Sequence, residues 1–334
     1  MKAFIVKKYG KKETLHLTDV NVPTIKENEV LVQIHSAGVN SLDSLIRNGE
    51  FKLFLPYKTP FVNGHDMAGI ITKVGAKVSK FKVGDNVYSR VGDFRIGTFA
   101  EYIAVNEGDL ALKPKNISLE EAASIPLVGL TSWQALVEIA NLKKGQKVFI
   151  QAGSGGVGTF AIQLAKHIGA FVATTTSSTN TDLVKSLGAD LVIDYKTQDF
   201  ETILKDYDVV LHSNKEAKVL EKSLKILKPG GILVSLTGPP TAELAKKLNL
   251  GWHFQILMNL LSFSARRIAK KQQVKFKFFL RIFSSRAIRI FKLSPACQAR
   301  FNIMPLIIIR NVFRQLIDKL WPLRSWPDKP HITR

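Results

Sequence analysis

The strongest constraint on this chain is a glycine-rich segment that directly follows a short apolar run. The run KVFI is followed by QAGSGGVG at positions 151–158, in which Gly153, Gly155 and Gly158 form a Gly-x-Gly-x-x-Gly spacing. Between a strand and a helix, this spacing favours dinucleotide binding, because the glycines allow a tight turn, close approach of the backbone to a pyrophosphate and close helix packing. An amphipathic helix is predicted to begin near Val157, where exposed backbone N–H groups would receive the phosphates. The predicted phosphate-binding residues are Gly153, Ser154, Gly155, Gly156, Val157 and Gly158.

The surrounding elements favour dinucleotide binding over a purely structural turn. From Lys147 onward, apolar strand-like runs alternate with helical patterns, which is typical of a parallel sheet covered by helices on both faces. Residues 1 to about 120 instead consist of short runs of alternating polarity between turn residues, which predicts a mainly antiparallel β unit. Between the two, Ser118 is a candidate helix N-cap, with Glu120 and Glu121 in the first turn. The chain is therefore predicted to be α/β.

The end of the second predicted parallel strand indicates which dinucleotide binds. This strand, FVATTTSSTN, ends without an acidic residue. An Asp or Glu at this point usually binds the adenosine ribose, and its absence removes repulsion of a 2′-phosphate, so we expect NADPH in preference to NADH. The residues predicted to bind this end of the cofactor are Ser177, Ser178, Thr179, Lys185 and Tyr195. The alternative is that they are solvated loop residues.

The composition is globular, with the excess positive charge concentrated towards the end of the chain. The chain has 334 residues and a formal net charge of +21, and the segment 265–334 holds 17 of its 48 basic residues but only 2 of its 27 acidic residues. A single cysteine, Cys297, excludes an internal disulfide and a thiolate-rich zinc site. The N-terminal residues do not form a secretory signal pattern, and no run reaches the roughly 18 apolar residues of a membrane-spanning helix. We therefore expect a soluble, cytoplasmic protein.

Five segments, spread over residues 1 to about 281, are similar to those of a known family. They are AGVNSLDSLIRNG, GTFAEYIAV, AASIPLVGLTSWQAL, QAGSGGVGTFAIQLAK and LVKSLGADLVIDY. Together they resemble the zinc-free quinone oxidoreductases of the medium-chain dehydrogenase/reductase superfamily, the family of zeta-crystallin. The resemblance implies a GroES-like, mainly antiparallel β-barrel catalytic domain at 1–122 and a Rossmann doubly wound parallel-sheet NADP-binding domain at 123–270. The segment 271–334 is expected to return to the catalytic domain.

The family also implies hydride transfer from NADPH to a quinone, an enone or another activated carbonyl, without zinc. By this resemblance, Asn40 stands at the position where zinc-dependent relatives have a cysteine. Their Gly-His-Glu segment corresponds to Gly64, His65 and Asp66 in this chain. An amide is a poor zinc ligand, and one histidine with one carboxylate cannot complete a tetrahedral site. We therefore expect no metal, and His65 is interpreted as a hydrogen-bonded histidine of the active site or the core.

Without a metal, hydrogen-bond donors must polarise the substrate carbonyl. Asn40 supplies an amide N–H, and the resemblance places it beside the nicotinamide. Asp43 and Arg47 also resemble family positions, but their spacing favours an ion pair on a helix. Gly129 and Thr131 resemble residues that line the nicotinamide, and Thr131 either hydrogen-bonds a ligand or caps the turn. The predicted catalytic residues are Asn40, Thr131 and His65, with Gly129 assigned to the cofactor site.

Three features depart from the family. After the strand YDVVL, relatives continue with Asp and a glycine pair, whereas this chain continues with HSNKEAK from His212. Thr179 stands where a basic residue for the 2′-phosphate is expected. Beyond Arg281 the resemblance fades, because the glycine-bearing closing strand of the family is missing from the sequence. We interpret this end as a frameshifted or diverged terminus, whose loss of the closing strand would expose a sheet edge.

The interpretation as an NADPH-dependent reductase of a small electrophile, expected to be a homo-oligomer, has two alternatives. One is an NADPH-binding protein that has lost turnover and serves as an interaction or structural module. The other is a peripheral membrane protein that binds through its basic C-terminal tail, in which the apolar LGWHFQILMNLLSF and the basic ARRIAKK together suit anionic headgroups. A helix packed on its own domain, with solvated Lys and Arg, is favoured over this second alternative. No motif that reads nucleic acid accompanies the basic residues, so we expect no nucleic-acid partner.

Overall fold

The computed structural model describes residues 1–53 and 55–279. The expectations for the chain beyond Arg281 therefore lie outside the described residues. Within the described ranges, no helix combines the length and the apolar character needed to cross a membrane. The predicted α/β class is confirmed, with an antiparallel unit followed by a parallel one.

Two antiparallel sheets form the first unit. Its strands are β1 (Lys2–Val6), β2 (His16–Asp19), β3 (Glu29–Gly38), β4 (Phe61–Val62), β5 (Asp66–Val74), β6 (Asn86–Arg90), β7 (Tyr102–Asn106) and β8 (Ala111–Leu112). The sheet orders are β2-β1-β4 and β7-β3-β5-β6-β8. Alternate side chains of the larger sheet, among them Val30, Val32, Ile71 and Val87, are fully buried in one apolar cluster. The alternating polarity of the sequence therefore has its cause in this one buried face.

Three short helices belong to this unit and to its connection with the next. They are α1 (Ser41–Arg47), α2 (Leu119–Ala123) and α3 (Pro126–Trp133). Ser118 caps α2 as predicted, since its Oγ accepts from the Glu121 backbone N–H at 3.1 Å and its own N–H donates to the Glu121 carboxylate at 2.7 Å. Helix α3 begins with Pro126, whose missing N–H costs nothing at this position, and continues as a π-helix over Gln134–Ile139.

The second unit is a six-stranded parallel sheet. Its strands are β9 (Lys147–Ile150), β10 (Phe171–Thr176), β11 (Leu191–Asp194), β12 (Tyr207–His212), β13 (Leu227–Ser235) and β14 (Lys275–Phe278). Its helices are α4 (Gly156–Ile168), α5 (Thr181–Ser186), α6 (Phe200–Ile203), α7 (Ala217–Lys225), α8 (Ala242–Lys247), α9 (Trp252–Leu261) and α10 (Phe263–Lys271). The order β11-β10-β9-β12-β13-β14, with every pair parallel, is that of a doubly wound dinucleotide-binding sheet. The sheet continues to Phe278, past residue 270, where the sequence analysis ends this domain.

Both faces of the parallel sheet are buried. On one face Phe149 of the central strand β9 is fully buried, and its ring centroid lies 4.9 Å from that of Phe200 and 6.5 Å from that of Tyr207. On the other face Val148 and Ile150 pack in a second cluster with residues of α4 and β10. Because a strand covered on both sides needs apolar residues at every position, the run KVFI shows no alternation.

We expect Phe149→Ala to lower the free energy of unfolding by about 3–5 kcal/mol, because it removes a buried ring and leaves a cavity. The matched control is Phe171→Ala at the start of β10, where the side chain is 40% exposed. This control should cost less than about 1 kcal/mol. Urea unfolding measures both values, and equal losses would contradict the assignment of Phe149 to the centre of the core.

Candidate cofactor and active site

The glycine-rich segment forms the turn between β9 and α4, as the sequence predicts. A Cβ at Gly158 would overlap the carbonyl oxygen of Ala152, and a Cβ at Gly153 would overlap the hydroxyl of Thr174 in β10. These two glycines therefore allow the loop and the helix to pack against the sheet. The left-handed residue of the turn is Ala152, with a φ of 52°, so the glycines serve close approach and not an unusual backbone conformation.

Gly155 and Gly156 lie where a side chain would be less crowded. A Cβ at Gly155 would have the carbonyl oxygen of Ala152 as its nearest neighbour at 3.2 Å, and a Cβ at Gly156 would lie 3.2 Å from Val128. Gly155 is the N-cap residue of α4, and a glycine has no side chain that could occupy the first N–H groups of the helix. These N–H groups and the positive end of the helix dipole suit a pyrophosphate.

Hydroxyl groups cluster at the carboxyl end of β10, where the sequence analysis places the adenosine end of the cofactor. Ser177 Oγ and Thr179 Oγ1 lie 2.9 Å apart. Thr176 Oγ1 donates a hydrogen bond to Ser154 Oγ at 2.9 Å, which joins this end of β10 to the glycine loop. The two predicted binding segments are therefore neighbours, although 22 residues separate Ser154 from Thr176.

A carboxylate that the sequence analysis did not consider lies beside these hydroxyls. Asp194 ends β11, and its two oxygens accept from the backbone N–H groups of Ser178 at 3.1 Å and Lys196 at 2.9 Å. It therefore links the loops that follow β10 and β11. Lys185 in α5 and Tyr195 after β11, both predicted cofactor residues, have exposed side chains. The acid in LVIDY, directly after an apolar run, was the available signal for Asp194.

His65 is fully buried and bound to Asp43. Its Nδ1 lies 2.6 Å from Asp43 Oδ1, while Asp43 Oδ2 accepts from the backbone N–H of Asn40 at 2.7 Å and closes the first turn of α1. The expectation of an ion pair between Asp43 and Arg47 is wrong. The Asp43 carboxylate is hydrogen-bonded to His65 and Asn40, and the Arg47 guanidinium donates to Asn48. The Nε2 of His65 has no hydrogen-bond partner among the described residues.

Asp66 connects Asn40 to α3. Its Oδ2 accepts from the side-chain Nδ2 of Asn40 at 3.1 Å and from the backbone N–H of Leu127 at 3.0 Å. The residue is 1% exposed, and this burial raises the pKa of its carboxyl to about 7, against the lowering effect of the two hydrogen bonds. In the part of the chain that the structure describes, no group of three or more His, Cys, Asp and Glu side chains could hold a metal ion.

The two residues predicted to line the nicotinamide lie inside α3. Thr131 Oγ1 donates to the carbonyl oxygen of Leu127 at 2.7 Å, one turn earlier, so its hydroxyl hydrogen is used within the helix. A Cβ at Gly129 would approach the ring of Phe160 in α4 to 3.3 Å. Both positions therefore have local packing functions, and their contact with a ligand stays a prediction.

His212 ends β12 and begins the loop that the sequence analysis left without a function. It is 1% exposed, and its Nδ1 lies 3.0 Å from Ser235 Oγ at the end of β13. Burial lowers the pKa of its imidazole to about 4, so the ring is neutral near pH 7. The next residue, Ser213, donates its backbone N–H to Oε1 of Gln151 at 3.2 Å. Gln151 and His212 thus join the loops that follow β9, β12 and β13.

These loops lie at the carboxyl edge of the parallel sheet. The glycine loop follows β9, the hydroxyl-rich loop follows β10 and the His212 loop follows β12. The strand order reverses between β9 and β12, and ligands of open α/β sheets bind outside the carboxyl ends of the strands at this point. The edge is therefore the candidate site for an elongated anionic cofactor.

Comparison with known proteins identifies relatives of both units. The family model of the alcohol dehydrogenase GroES-like domain matches residues 26–115, and that of the zinc-binding dehydrogenases matches residues 156–272. A 2-methylene-furan-3-one reductase of Solanum lycopersicum is 42% identical over 269 residues, which are 75% of this chain and 68% of the relative. A chloroplastic NADPH-dependent alkenal/one oxidoreductase of Arabidopsis thaliana is 40% identical with the same coverage of both chains.

A solved structure agrees with this result. The quinone oxidoreductase from Coxiella burnetii superposes with a TM-score of 0.74 and 30% identity, over 89% of this chain and 88% of that chain. The likeness therefore extends over both the antiparallel and the parallel unit.

We expect Gly158→Ala and Gly155→Ala to separate folding from cofactor binding. At Gly158 the added methyl group would collide with the Ala152 backbone, so the free energy of unfolding should fall by about 1–3 kcal/mol. At Gly155 the fold has more room, so the loss of stability should be smaller, while the affinity for NADPH should fall about tenfold. Thermal unfolding and fluorescence titration with NADPH measure the two effects. Unchanged NADPH affinity in Gly155→Ala would contradict the assignment of this loop.

We expect Asp66→Asn to become more stable relative to the wild type as the pH rises from about 5 to about 8. The folded-state pKa of about 7 lies above the unfolded value, so the folded wild type holds a proton that the unfolded chain releases, and it loses stability as the pH rises. An amide does not titrate, so the difference should grow by roughly 2–3 kcal/mol. Thermal unfolding across this pH range measures it. Asp182→Asn, on the exposed side of α5, is the control, and an identical pH trend in both variants would contradict the raised pKa.

Proposed function

The chain belongs to the zinc-free quinone oxidoreductase family of the medium-chain dehydrogenase/reductase superfamily, and from this premise we propose that it reduces quinones, enones or other activated carbonyls with NADPH. The observation that carries the proposal is the glycine loop at the carboxyl edge of the parallel sheet. There α4, a helix of 13 residues, begins directly after its N-cap residue Gly155, which has no side chain to cover the first N–H groups of the helix. This opening fits the pyrophosphate of a dinucleotide.

Bound NADPH would supply the hydride, and the residues around it would bind and orient both reactants. We propose that Gly153 to Gly158 hold the pyrophosphate. The adenosine 2′-phosphate would receive hydrogen bonds from Ser177, Ser178 and Thr179, with Lys185 and Tyr195 beside them. The hydroxyl pair at 2.9 Å between Ser177 and Thr179 supports this assignment, because both groups can turn their hydrogens towards a phosphate.

Asn40 is proposed as the residue that polarises the substrate. One hydrogen of its amide is donated to Asp66 at 3.1 Å, which fixes the plane of the amide and leaves its other hydrogen for a carbonyl oxygen. Negative charge develops on that oxygen as the hydride arrives, so a preoriented donor stabilises the transition state more than the ground state. Thr131 and Gly129 are proposed to lie beside the reacting ring.

Asp66, Asp43 and His65 would position Asn40. Asp66 holds its amide, and Asp43 holds its backbone N–H while bound to His65. No further acid is required for a quinone, because the hydride adduct is a stabilised phenolate that water can protonate. An alcohol substrate would instead need a base to remove its proton together with the hydride. The site therefore suits reduction of an activated carbonyl better than oxidation of an alcohol.

The proposal also covers the division into two units, the oligomeric state and the location of the protein in the cell. The change from antiparallel to parallel strands between β8 and β9 supports a catalytic unit at 1–122 and a cofactor unit from 123 onward. The homo-oligomer rests on the family resemblance, and a cytoplasmic location agrees with the single cysteine. Light scattering after size-exclusion chromatography tests the homo-oligomer, and imaging of the tagged full-length chain tests the cytoplasmic location.

The experiment is to mix the protein with NADPH, 9,10-phenanthrenequinone and a chelator, and to follow the reduced-nicotinamide absorbance. We expect turnover that survives the chelator and prefers NADPH to NADH. Asn40→Ala should lower kcat about 100-fold, because a preoriented donor to the developing oxyanion is lost. Asn48→Ala, at the opposite end of α1, is the matched control and should retain activity.

Two results would contradict the proposal. NADPH binding without oxidation by any quinone or enone would favour the alternative of a binding protein that has lost turnover. Loss of turnover on chelation would show that a metal takes part. A full rate in Asn40→Ala would leave the reductase intact but remove Asn40 from the reaction.

A further inference from the structure

Helix α9 exposes most of its large apolar side chains. Trp252, Ile256 and Leu260 follow each other at intervals of four residues and therefore lie along one side of the helix. Their exposed fractions are 72%, 51% and 67%. We call the exposed residues of this region the apolar stripe, which consists of Trp252, Ile256, Leu257, Leu260, Leu261 and Phe263. Met258, on the other side of α9, is buried and packs with Leu244 of α8.

This arrangement differs from the interpretation favoured in the sequence analysis, a helix packed on its own domain. That interpretation holds for α10, which buries Ala265 and Ala269. It holds for α9 only on the side of Met258, because Trp252 and Leu260 on the other side stay exposed. The segment 251–262 also contains no Asp, Glu, Lys or Arg that would make its outer side polar.

Positive charge accompanies the stripe, although one basic residue of the segment 244–279, Lys277, is paired with Glu243 at 2.9 Å. Residues 244–279 include no Asp or Glu. Their eight basic residues are Lys246, Lys247, Arg266, Arg267, Lys270, Lys271, Lys275 and Lys277. We call the four on α10 the basic cluster, which consists of Arg266, Arg267, Lys270 and Lys271. Arg266 donates to the carbonyl oxygen of Asn259 at 2.8 Å, so the cluster begins where α9 ends.

We propose that α9 and α10 form a docking surface for an anionic lipid bilayer, with the apolar stripe in the headgroup and acyl boundary and the basic cluster at the headgroups. An exposed apolar side without charges, followed by basic residues, is the composition that binds such an interface. Basic clusters of this size near a surface favour anionic lipids. Trp252 suits the boundary between acyl chains and water, because indole combines a large apolar ring with one N–H donor.

The charge also decides between a bilayer and a second copy of the chain. A twofold interface through the apolar stripe would place each copy's stripe on the other. Both basic clusters would then lie at the rim of one interface without acids from residues 244–279 to pair with them. An anionic bilayer supplies the missing negative charge.

The test is flotation of the full-length protein with vesicles of phosphatidylcholine and phosphatidylserine, and with vesicles of phosphatidylcholine alone. We expect binding to the anionic vesicles and little to the neutral ones. Raising NaCl from about 0.1 M to about 1 M should weaken binding, because the screening length falls from about 10 Å to about 3 Å.

Two double variants test the two parts of the surface. Arg267→Gln with Lys270→Gln should weaken binding about 25-fold, since each basic residue near an anionic surface contributes about fivefold. The charge-matched control, Lys80→Gln with Lys82→Gln in the antiparallel unit, should change it less than about twofold. Trp252→Gln with Leu260→Gln should weaken binding at least about tenfold, whereas Val83→Gln, also at an exposed apolar residue, should not. NADPH affinity and the unfolding midpoint establish that each variant is folded.

Three outcomes would overturn the proposal. The protein could remain unbound with anionic vesicles, which would show that the apolar stripe and the basic cluster do not dock on an anionic bilayer. Binding could persist equally in both double variants, which would assign it to other basic residues. The wild type could be a dimer that Trp252→Gln with Leu260→Gln dissociates, which would make a second copy the occupant.

Discussion

Close contact between the start of α4 and the chain leaving β9 sets the geometry on which the parallel sheet depends. Because Gly158 and Gly153 lack a Cβ, the helix lies against β9 and β10, and Ile162 and Leu164 of α4 are completely or almost completely buried in the core. The same contact directs the N-terminus of α4 to the edge where the strand order reverses. Packing of the core and access for a pyrophosphate therefore have one structural cause.

Asp66 joins Asn40 to the helix that leads into the parallel unit. One oxygen of its carboxylate accepts from Asn40, next to α1, and from Leu127, at the start of α3. Burial of this group without a cationic partner at hydrogen-bond distance raises its pKa, which is unfavourable for the ionised form. The contact nevertheless orients an amide that would otherwise rotate. The protein thus combines a local cost in stability with a fixed donor at the proposed reaction centre.

The sequence predicted what depends on local pattern, and it missed what depends on distant contacts. Glycine spacing and uninterrupted apolar strands predicted the loop after β9 and the parallel sheet, because neighbouring residues determine both. The partners of Asp43 and Asp66 had no such signal, since His65 is 22 residues from Asp43 and Leu127 is 61 residues from Asp66. For the same reason, the spacing of Asp43 and Arg47 indicated the wrong partner. Exposure of the apolar stripe was equally unavailable, because a sequence pattern shows amphipathicity but not what covers it.

The proposed docking of α9 on a bilayer would also affect how substrates reach the protein. Uncharged quinones and enones partition from water into lipid. The substrate concentration that a membrane-bound protein meets is therefore the number of molecules per unit of membrane area. A reductase held there would find them by lateral diffusion in two dimensions. NADPH carries several charges and would arrive from the aqueous side. The enzyme would then join two phases, taking its reductant from water and its electron acceptor from the membrane.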